Sequence, residues 1–320
     1  MNNAVWRIAV LAAVTLASAC SAPGSAPAPL PVLDASSVSE SFAPSGFGSW
    51  LYTCAASSGT CAAYAVSGTA LTYKKTLTPP GRPLGGFATA TGTWYEALVS
   101  ASDAVTYKST ASGPSGPTST LADTGAAPID VAVNTAKKLV VVSNEFGANH
   151  GPANVEVYAN GAKTPTRTLN YVPKGGQGVG FGVATDSRGN CYWMVDDTKN
   201  FNADVVEFVG CTGKAKLLVT TPKFGAAGGL AVDGSNNLYY VDQSNGVYKC
   251  TGTKNCAQLA GGFNTPTFIR FDAGWKNLWL TDTGSAQIYA LNPGTGAIES
   301  TTPENGGAAP GLALAPGPAH

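Results

Sequence analysis

Short apolar segments that begin with small residues recur along the chain, and each is followed by a polar turn. In the clearest of them, apolar and polar or small residues alternate as they do in a β-strand with one buried face. The segments are Gly85–Trp94, Pro128–Asn134, Gly180–Asp186, Gly229–Asp233 and Pro266–Asp272. Equivalent positions are about 40 to 50 residues apart, a period that indicates a β-propeller or another repeat array.

Each repeat continues with three further predicted strands. A turn rich in Asp, Asn and Gly, such as Asp233–Asn237, leads into an apolar and aromatic second strand, such as Leu238–Asp242. A third strand (Gly246–Lys249 in this repeat) and a weaker fourth strand (Ala257–Leu259) complete the unit. Four antiparallel strands per repeat form one propeller blade.

The run Asp-Gly-x-x-Asn-Leu-aromatic-aromatic-Val-Asp, followed by x-x-Val-Tyr, resembles the NHL-type repeat and its relatives. Those relatives include gluconolactonase-like, strictosidine synthase-like and streptogramin lyase-like propellers. Residues 225–292 match best, residues 127–219 match well, and residues 49–123 match loosely. The resemblance is specific for an all-β propeller fold and weak for any one activity.

The two ends of the repeat region complement each other. Ser49–Cys54 matches a second strand with no first strand before it, and Pro310–Pro316 matches a first strand with nothing after it. Together they predict one blade, closed by the C-terminal strand, which removes both exposed sheet edges. Counting first strands predicts a six-bladed β-propeller of four-stranded antiparallel blades, with five or seven blades as alternatives.

Six cysteines within the repeats are expected to form three disulfides, each inside one blade. An even number of cysteines in an exported chain favours disulfides. The start of a strand lies beside the end of its antiparallel neighbour, so predicted strand positions select one pairing among fifteen. The predicted bridges are Cys54–Cys61, Cys191–Cys211 and Cys250–Cys256.

The N-terminus has the features of a lipoprotein signal. Residues 1–19 carry one charged side chain, Arg7, and an apolar run too short to span a bilayer. Small residues then lead to Cys20, which resembles the lipidated cysteine of a bacterial lipobox, although Ala17 stands where that motif usually has Leu. The alternative is an ordinary cleavable signal that ends near Ala19. Residues 20–46 are rich in Pro, Ala and Ser and predict a tether, and residues 47–320 predict the propeller.

The composition agrees with an all-β domain and limits the classes of partner that it could bind. The chain has 39 glycines, its formal net charge is zero, and only 12% of its residues are charged. The sequence shows no basic stripe, which argues against nucleic acid as a partner.

Carboxylates at the ends of second strands are the first candidate site. Asp196, Asp242 and Asp282 lie at matching positions in successive repeats and are expected near one rim of the axis. Oxygen ligands of this kind could hold Ca²⁺ or another divalent ion, as in gluconolactonase-like propellers, although the full ligand set is not apparent. Alternatively, each Asp accepts backbone N–H groups of the turn that follows.

Charged residues on inner strands are the second candidate site. Asp130 and Arg270 interrupt apolar first strands and are expected to line one polar channel, as a binding site or a water-filled axle. Glu96 lies on a second strand and faces either the blade interior or solvent. Histidine occurs only at His150 and His320, which argues against a multi-histidine metal site. His150 is a candidate base in a loop, or a solvated loop residue.

These features favour a non-enzymatic, monomeric binding module, lipid-anchored at the cell envelope in the periplasm or on the outer surface. Its partner would be a protein, a glycan or a small molecule, and no cofactor is required. The alternative is a metal-dependent hydrolase or lyase of the gluconolactonase or streptogramin lyase type. A purely structural envelope role is the third possibility.

Overall fold

Six four-stranded antiparallel sheets, arranged as blades around an axis, make up the part of the chain that the structure describes. The structure is a computed structural model, and it describes residues 49–99, 103–110, 113–176, 178–222, 225–305 and 308–318. The predicted signal, Cys20 and the tether lie outside these residues. The predicted all-β, six-bladed propeller is confirmed.

The strands follow the predicted order from the axis outward. Blade I contains β24 (Gly311–Ala315), β1 (Trp50–Ala55), β2 (Thr60–Ser67) and β3 (Ala70–Leu77). Blade II contains β4 (Pro83–Ala88), β5 (Thr93–Leu98), β6 (Asp103–Thr110) and β7 (Gly113–Ala122). Blade III contains β8 (Ala126–Asn134), β9 (Leu139–Phe146), β10 (Asn154–Ala159) and β11 (Arg167–Asn170).

The second half of the ring repeats the same order. Blade IV contains β12 (Gly178–Thr185), β13 (Cys191–Asp197), β14 (Asn202–Phe208) and β15 (Lys216–Thr220). Blade V contains β16 (Ala227–Val232), β17 (Leu238–Asp242), β18 (Gly246–Thr251) and β19 (Lys254–Ala260). Blade VI contains β20 (Pro266–Phe271), β21 (Leu278–Asp282), β22 (Gln287–Leu291) and β23 (Ile298–Pro303). Two single 3-10 turns, Ala148–His150 and Val209–Cys211, are the only helical segments of the described residues.

Small residues begin the inner strands because these strands approach each other closely around the axis. A Cβ added to Gly182 on β12 would lie 2.5 Å from the carbonyl oxygen of Gly228 on β16. A side chain at Gly182 would therefore push two inner strands apart. The small-residue start of each repeat is thus a requirement of ring packing.

The apolar second strands form the core between blades. All five residues of β17 and of β21 are buried, and Trp94, Trp193 and Trp279 have no exposed surface. The Tyr52 ring of blade I stacks on the Trp94 ring of blade II with centroids 4.3 Å apart. Such an aromatic pair adds roughly 0.5–1.5 kcal/mol to the stabilisation from area burial.

The C-terminal strand closes the ring, as the complementary chain ends predicted. β24 pairs antiparallel with β1 in a register that runs from Trp50 opposite Ala315 to Cys54 opposite Gly311. Gly311 also touches the next blade, since an added Cβ would lie 1.3 Å from the Leu84 carbonyl oxygen. The first and last strands are therefore held in one sheet.

The antiparallel order gives the propeller two faces. The turn face carries the connections from first to second and from third to fourth strands. The link face carries the connections from second to third strands and the links between blades. Trp50 lies at the turn face, because it pairs with Ala315 at the end of an inner strand.

All three predicted disulfides are present, each within one blade. Cys54–Cys61 joins β1 to β2 at the link face, with a Cα–Cα distance of 4.0 Å. Cys191–Cys211 joins the start of β13 to the 3-10 turn that follows β14, and Cys250–Cys256 joins β18 to β19. Three disulfides are typical of proteins that fold in an oxidising compartment.

Candidate functional site

A buried ion pair crosses the axis where a polar channel was expected. The Arg270 guanidinium, on β20 of blade VI, donates from Nη2 to Oδ1 of Asp130, on β8 of blade III. The exposed fractions of the two side chains are 4% and 0%. The structure therefore brings the two predicted inner-strand residues together, where they neutralise each other.

The remaining polar atoms of this pair bind the backbone of other inner strands. Arg270 Nε donates to the Gly86 carbonyl oxygen of blade II at 2.9 Å, and Nη1 donates to the Leu230 carbonyl oxygen of blade V at 3.2 Å. Asp130 Oδ2 accepts the Val183 N–H of blade IV at 3.0 Å. The pair thus joins inner strands of five blades. We call Arg270, Asp130 and their backbone partners the hub, because the several N–H donors of one guanidinium hold these strands together.

Glu96 lies buried beside this hub. It is on β5 opposite Gly86, and a Cβ added to Gly86 would lie 2.4 Å from Glu96 Oε2. Burial raises the pKa of Glu96 well above its usual range, because the charged carboxylate loses its hydration there. Burial also raises the pKa of Asp130, to about 6, and Arg270 opposes that rise. Asp130 is therefore ionised at neutral pH and balances the charge of Arg270.

The axis has little free space next to the ion pair. A cavity of about 20 Å³, lined by Phe87, Thr185, Arg270 and Phe271 among others, opens on the turn-face side of the pair. That volume holds about one water molecule.

The second-strand carboxylates at the link face act as turn caps. Asp242 accepts the backbone N–H groups of Ala226 and Ser244 at 3.1 and 3.0 Å. Asp282 accepts those of Asn264, Thr265 and Gly284 at 2.7–3.1 Å. Each carboxylate thereby fixes a hairpin and the adjoining link between blades, which corresponds to the alternative interpretation of these residues.

In blade IV the residue equivalent to Asp242 and Asp282 is Asp197. The sequence pattern had placed Asp196, one residue earlier, at this position. Asp197 accepts the N–H groups of Gly175, Lys199 and Asn200 at 2.8–3.1 Å. Asp196 instead accepts the Ala227 N–H of blade V at 2.6 Å. β13 has seven residues where β17 has five, and the two extra residues put Asp197 on the side that Asp242 occupies.

The predicted acidic residues do not converge on one point. Within the described residues, one group of three His, Cys, Asp or Glu side chains has ligand atoms within 4.8 Å of one another: Cys54, Cys61 and Glu96. Its two sulfurs form a disulfide. Asp130, Asp196, Asp242 and Asp282 belong to no such group. His150 ends the 3-10 turn Ala148–His150 on the link face, and its side chain lies outside the description.

An acid pair that the sequence did not reveal lies between blades II and III. The pKa of Asp123 is raised to about 7, chiefly by burial and then by the nearby Glu156 carboxylate. Asp123 Oδ1 accepts the Gly125 N–H at 2.7 Å and Asn144 Nδ2 at 3.1 Å. Thr124 donates to Glu156 through both its N–H and its hydroxyl. Asp123 lies in the link between two blades and Glu156 lies on a third strand, so no local sequence motif contains both acids.

A shallow groove of about 310 Å³ lies on the turn face between blades V and VI. Its lining includes the aromatic residues Tyr239, Phe271 and Trp275 and the charged residues Asp233 and Lys249. Lys249 Nζ lies 5.1 Å from the centroid of the Tyr239 ring. The groove combines aromatic surface with one acid and one cation, which suits a small polar ligand.

Solved structures share this fold. A chain in the crystal structure of a nidogen/laminin complex is 17% identical, with a TM-score of 0.65, and the match covers 84% of this chain and 98% of that one. A functionally unknown protein from Desulfotomaculum acetoxidans is 10% identical, with a TM-score of 0.55 and coverage of 83% and 98%. A protein from Lactobacillus plantarum is 13% identical, with a TM-score of 0.56 and coverage of 83% and 99%. At these identities the likeness concerns the fold alone.

No family model and no curated protein sequence matches the chain. The resemblance to NHL-type repeats therefore stays a prediction. Among the described residues, none forms a helix with the length and apolar character needed to cross a bilayer.

Proposed function

We propose that the protein is an exported, lipid-anchored propeller that acts as a non-enzymatic binding module at the cell envelope. The observation that carries the proposal is the ion pair between Arg270 and Asp130. Because these two charged residues of the axis bind each other and the backbone of the inner strands, they are not available to a partner. A partner would therefore contact the two faces of the propeller. Glu96, the remaining acid beside the hub, is fully buried, and burial raises its pKa.

Two further observations support a binding role. The three disulfides fit an exported protein, and Cys20 follows a signal-like segment. A chain of the same fold occurs in the nidogen/laminin complex, where it takes part in a protein assembly. Propellers present broad faces of loops, and such faces suit protein, glycan or small-molecule partners.

Mass spectrometry of the mature protein from its own bacterium tests the anchor. We expect an N-terminal Cys20 that carries acyl chains, and we expect Cys20→Ala to release the protein into the soluble fraction. A mature N-terminus without lipid would contradict the anchor. Acylation at Cys20 with two or three chains would give stable attachment, since one chain alone holds a protein only marginally.

Metal analysis distinguishes the binding module from the hydrolase or lyase alternative. We expect the purified chain to retain no stoichiometric divalent ion after dialysis. One tightly held ion per chain, lost on Asp242→Asn or Asp282→Asn together with lactone hydrolysis, would favour the enzyme instead. Lys174→Gln is the matched control, because Lys174 is exposed on the same face and offers no ligand oxygen.

A further inference from the structure

The acidic and basic residues of this electrically neutral chain differ sharply in exposure. Among the described residues there are 17 carboxylates and 17 Lys or Arg side chains. Only one of those carboxylates, that of Glu299, is exposed, whereas twelve of the basic residues are exposed. The fully exposed charges of the described residues are therefore nearly all positive, even though the formal net charge of the chain is zero. This difference in exposure cannot be recognised from the net charge of the sequence.

The asymmetry has a physical cause. Carboxylates cap turns and accept backbone N–H groups, as Asp186, Asp242 and Asp282 do, so they are drawn into the fold. Lysine has a long apolar stem and no acceptor, so its ammonium group stays in water. A propeller in which many turns are capped by acids therefore buries negative charge and leaves positive charge outside.

The exposed basic residues concentrate on the turn face. Two exposed lysines, Lys174 and Lys199, lie on the link face, and Lys74 and Lys108 lie along outer parts of blades I and II. The other eight lie in turns of the turn face or at the first residue of the strand that follows: Lys137, Lys138, Lys163, Arg188, Lys214, Lys216, Lys254 and Lys276. The turn face is thus the cationic side of the molecule.

Six of the basic residues of blades III and IV form what we call the basic patch. Its members are Lys137, Lys138, Lys163, Arg167, Arg188 and Lys214. The turns of the two blades touch each other: an added Cβ on Gly189 would lie 3.0 Å from Lys137 Cγ, and Arg167 Nη1 donates to the Cys211 carbonyl oxygen at 3.2 Å. The patch is therefore continuous across the blade boundary.

Most of the positive charge in the basic patch is uncompensated. Arg188 pairs with Asp186 at 2.8 Å, and Asp186 has no exposed side-chain surface. Within the described part of the chain, none of Lys137, Lys138, Lys163 and Lys214 forms an ion pair. These four ammonium groups are free to meet an external anionic surface.

An apolar side chain projects from the same patch. Val209 is 63% exposed in the 3-10 turn Val209–Cys211, which begins five residues before Lys214. The Cys191–Cys211 disulfide and the bond from the Gly210 N–H to Asn190 Oδ1, at 2.9 Å, hold this turn in place. A fixed apolar tip among lysines is a typical arrangement for contact with a bilayer interface.

We infer that the basic patch docks the propeller onto a bilayer of anionic phospholipids, with Val209 entering the headgroup region. The inference rests on the proposed function, which attaches the chain to a membrane through Cys20. It also agrees with the chain path. β1 begins at Trp50 on the turn face, which is the cationic side of the propeller. Each Lys or Arg near an anionic leaflet strengthens binding about fivefold.

Vesicle flotation tests the docking face without the acyl chain. The protein is the mature chain, residues 20–320, with Cys20→Ser. The probes are vesicles of phosphatidylcholine with about 30% phosphatidylglycerol, a content at which each basic contact is appreciable, and vesicles of pure phosphatidylcholine. We expect binding to the anionic vesicles alone, and we expect it to weaken as salt rises because the charges become screened.

Two charge-reversal variants locate the docking face. Lys137→Glu/Lys138→Glu/Lys214→Glu is expected to weaken binding at least about a hundredfold, since three favourable contacts are lost and three repulsive charges are added. Lys74→Glu/Lys174→Glu/Lys199→Glu changes the net charge equally, away from the patch, and is expected to retain binding within about twofold, since charges beyond a Debye length from the leaflet are screened. Val209→Ser is expected to weaken binding without changing its salt dependence. Circular dichroism and thermal melting confirm that all variants are folded.

Several results would overturn the inference: no retention by anionic vesicles at low salt, equal losses in the two triple variants, or binding to soluble DNA without retention by vesicles. These results are independent of the anchor. A mature protein without lipid on Cys20 would refute anchoring and leave vesicle binding by the Cys20→Ser chain intact. A lipidated protein whose Cys20→Ser form ignores vesicles would refute docking alone.

Discussion

Arg270 and Asp130, 140 residues apart in the chain, form a buried ion pair that joins blades VI and III across the axis. Replacing one partner leaves a buried charge uncompensated, which usually costs about 3–5 kcal/mol. We expect Arg270→Met to lower the free energy of unfolding in urea by that amount. Arg270→Met/Asp130→Leu should recover most of the loss, because neither charge then remains. Lys276→Met, at an exposed turn, should change stability by less than about 0.5 kcal/mol. A double variant as unstable as the single one would show that the pair itself stabilises the ring.

Three buried carboxyl groups predict that the protein is more stable at pH 5.5 than at pH 8.5. Burial is the largest cause that raises the pKa of Asp123 and Glu145 to about 7 and that of Glu304 to about 8. A raised pKa in the folded state means that the folded protein holds protons which the unfolded chain has lost. Stability is therefore highest below the unfolded pKa values and falls as pH rises through 7 and 8. We expect a loss of about 2 kcal/mol or more between the two pH values, measured by urea denaturation.

Asp123→Asn isolates one of these groups. The amide stays neutral at every pH and can donate a hydrogen bond to Glu156, so we expect higher stability at pH 8.5 and little change at pH 5.5. Glu299→Gln, at the exposed carboxylate, is the control and should leave the pH dependence unchanged. A pH profile of Asp123→Asn that parallels the parent would show that Asp123 is ionised in the fold at neutral pH.

Ring closure should be sensitive to Gly311. An added Cβ there would lie 1.3 Å from the Leu84 carbonyl oxygen, so Gly311→Ala has to displace β24 from either β1 or β4. We expect a loss of more than about 4 kcal/mol or failure to fold, as for severe overpacking of a core. Gly161→Asn is the control, because Gly161 has a positive φ of 76° with no atom near its Cβ position, and Asn tolerates that conformation. Thermal melting of both variants decides the matter, and a Gly311→Ala protein as stable as Gly161→Asn would contradict the close approach.

The three disulfides should contribute unequally. The Cys191–Cys211 bridge spans 20 residues, whereas the Cys54–Cys61 and Cys250–Cys256 bridges span seven and six. In the chain-entropy description, a 20-residue loop stabilises the fold by about 3 kcal/mol and the shorter ones by about 2 kcal/mol. Urea denaturation of the three Cys→Ser pairs should therefore rank Cys191→Ser/Cys211→Ser as the least stable. A larger loss from one of the short bridges would refute the ranking.

Most of the fold could be predicted from the repeats. The recurrence of four predicted strands gave the blade architecture, the complementary chain ends gave the closing strand, and the cysteines at strand termini gave the three disulfides. These features are local or recur, so they can be recognised without knowing distances. The alternation of strands also explains the error at Asp196. A second strand two residues longer keeps its face but shifts the capping role to Asp197.

The candidate site was less accessible to sequence reasoning. Asp130 and Arg270 were recognised as unusual inner-strand charges, but only the width of the ring determines that they touch. The pair of Asp123 and Glu156 joins a link to a third strand 33 residues later, and no spacing rule predicts that contact. The cationic turn face was hidden for another reason: burial of individual acids, rather than composition, decides which charges reach solvent.

The position of β24 has a consequence for how the chain is made. Blade I receives its inner strand, β24, from residues that follow the other five blades in the chain, so a product that stops before β24 cannot hide the edge of β1. The blade-internal disulfides, in contrast, need no closed ring, because each links residues within one sheet. Oxidation can therefore precede completion of the ring. Only a chain that includes β24 removes the open edge that would otherwise recruit strands from neighbouring molecules.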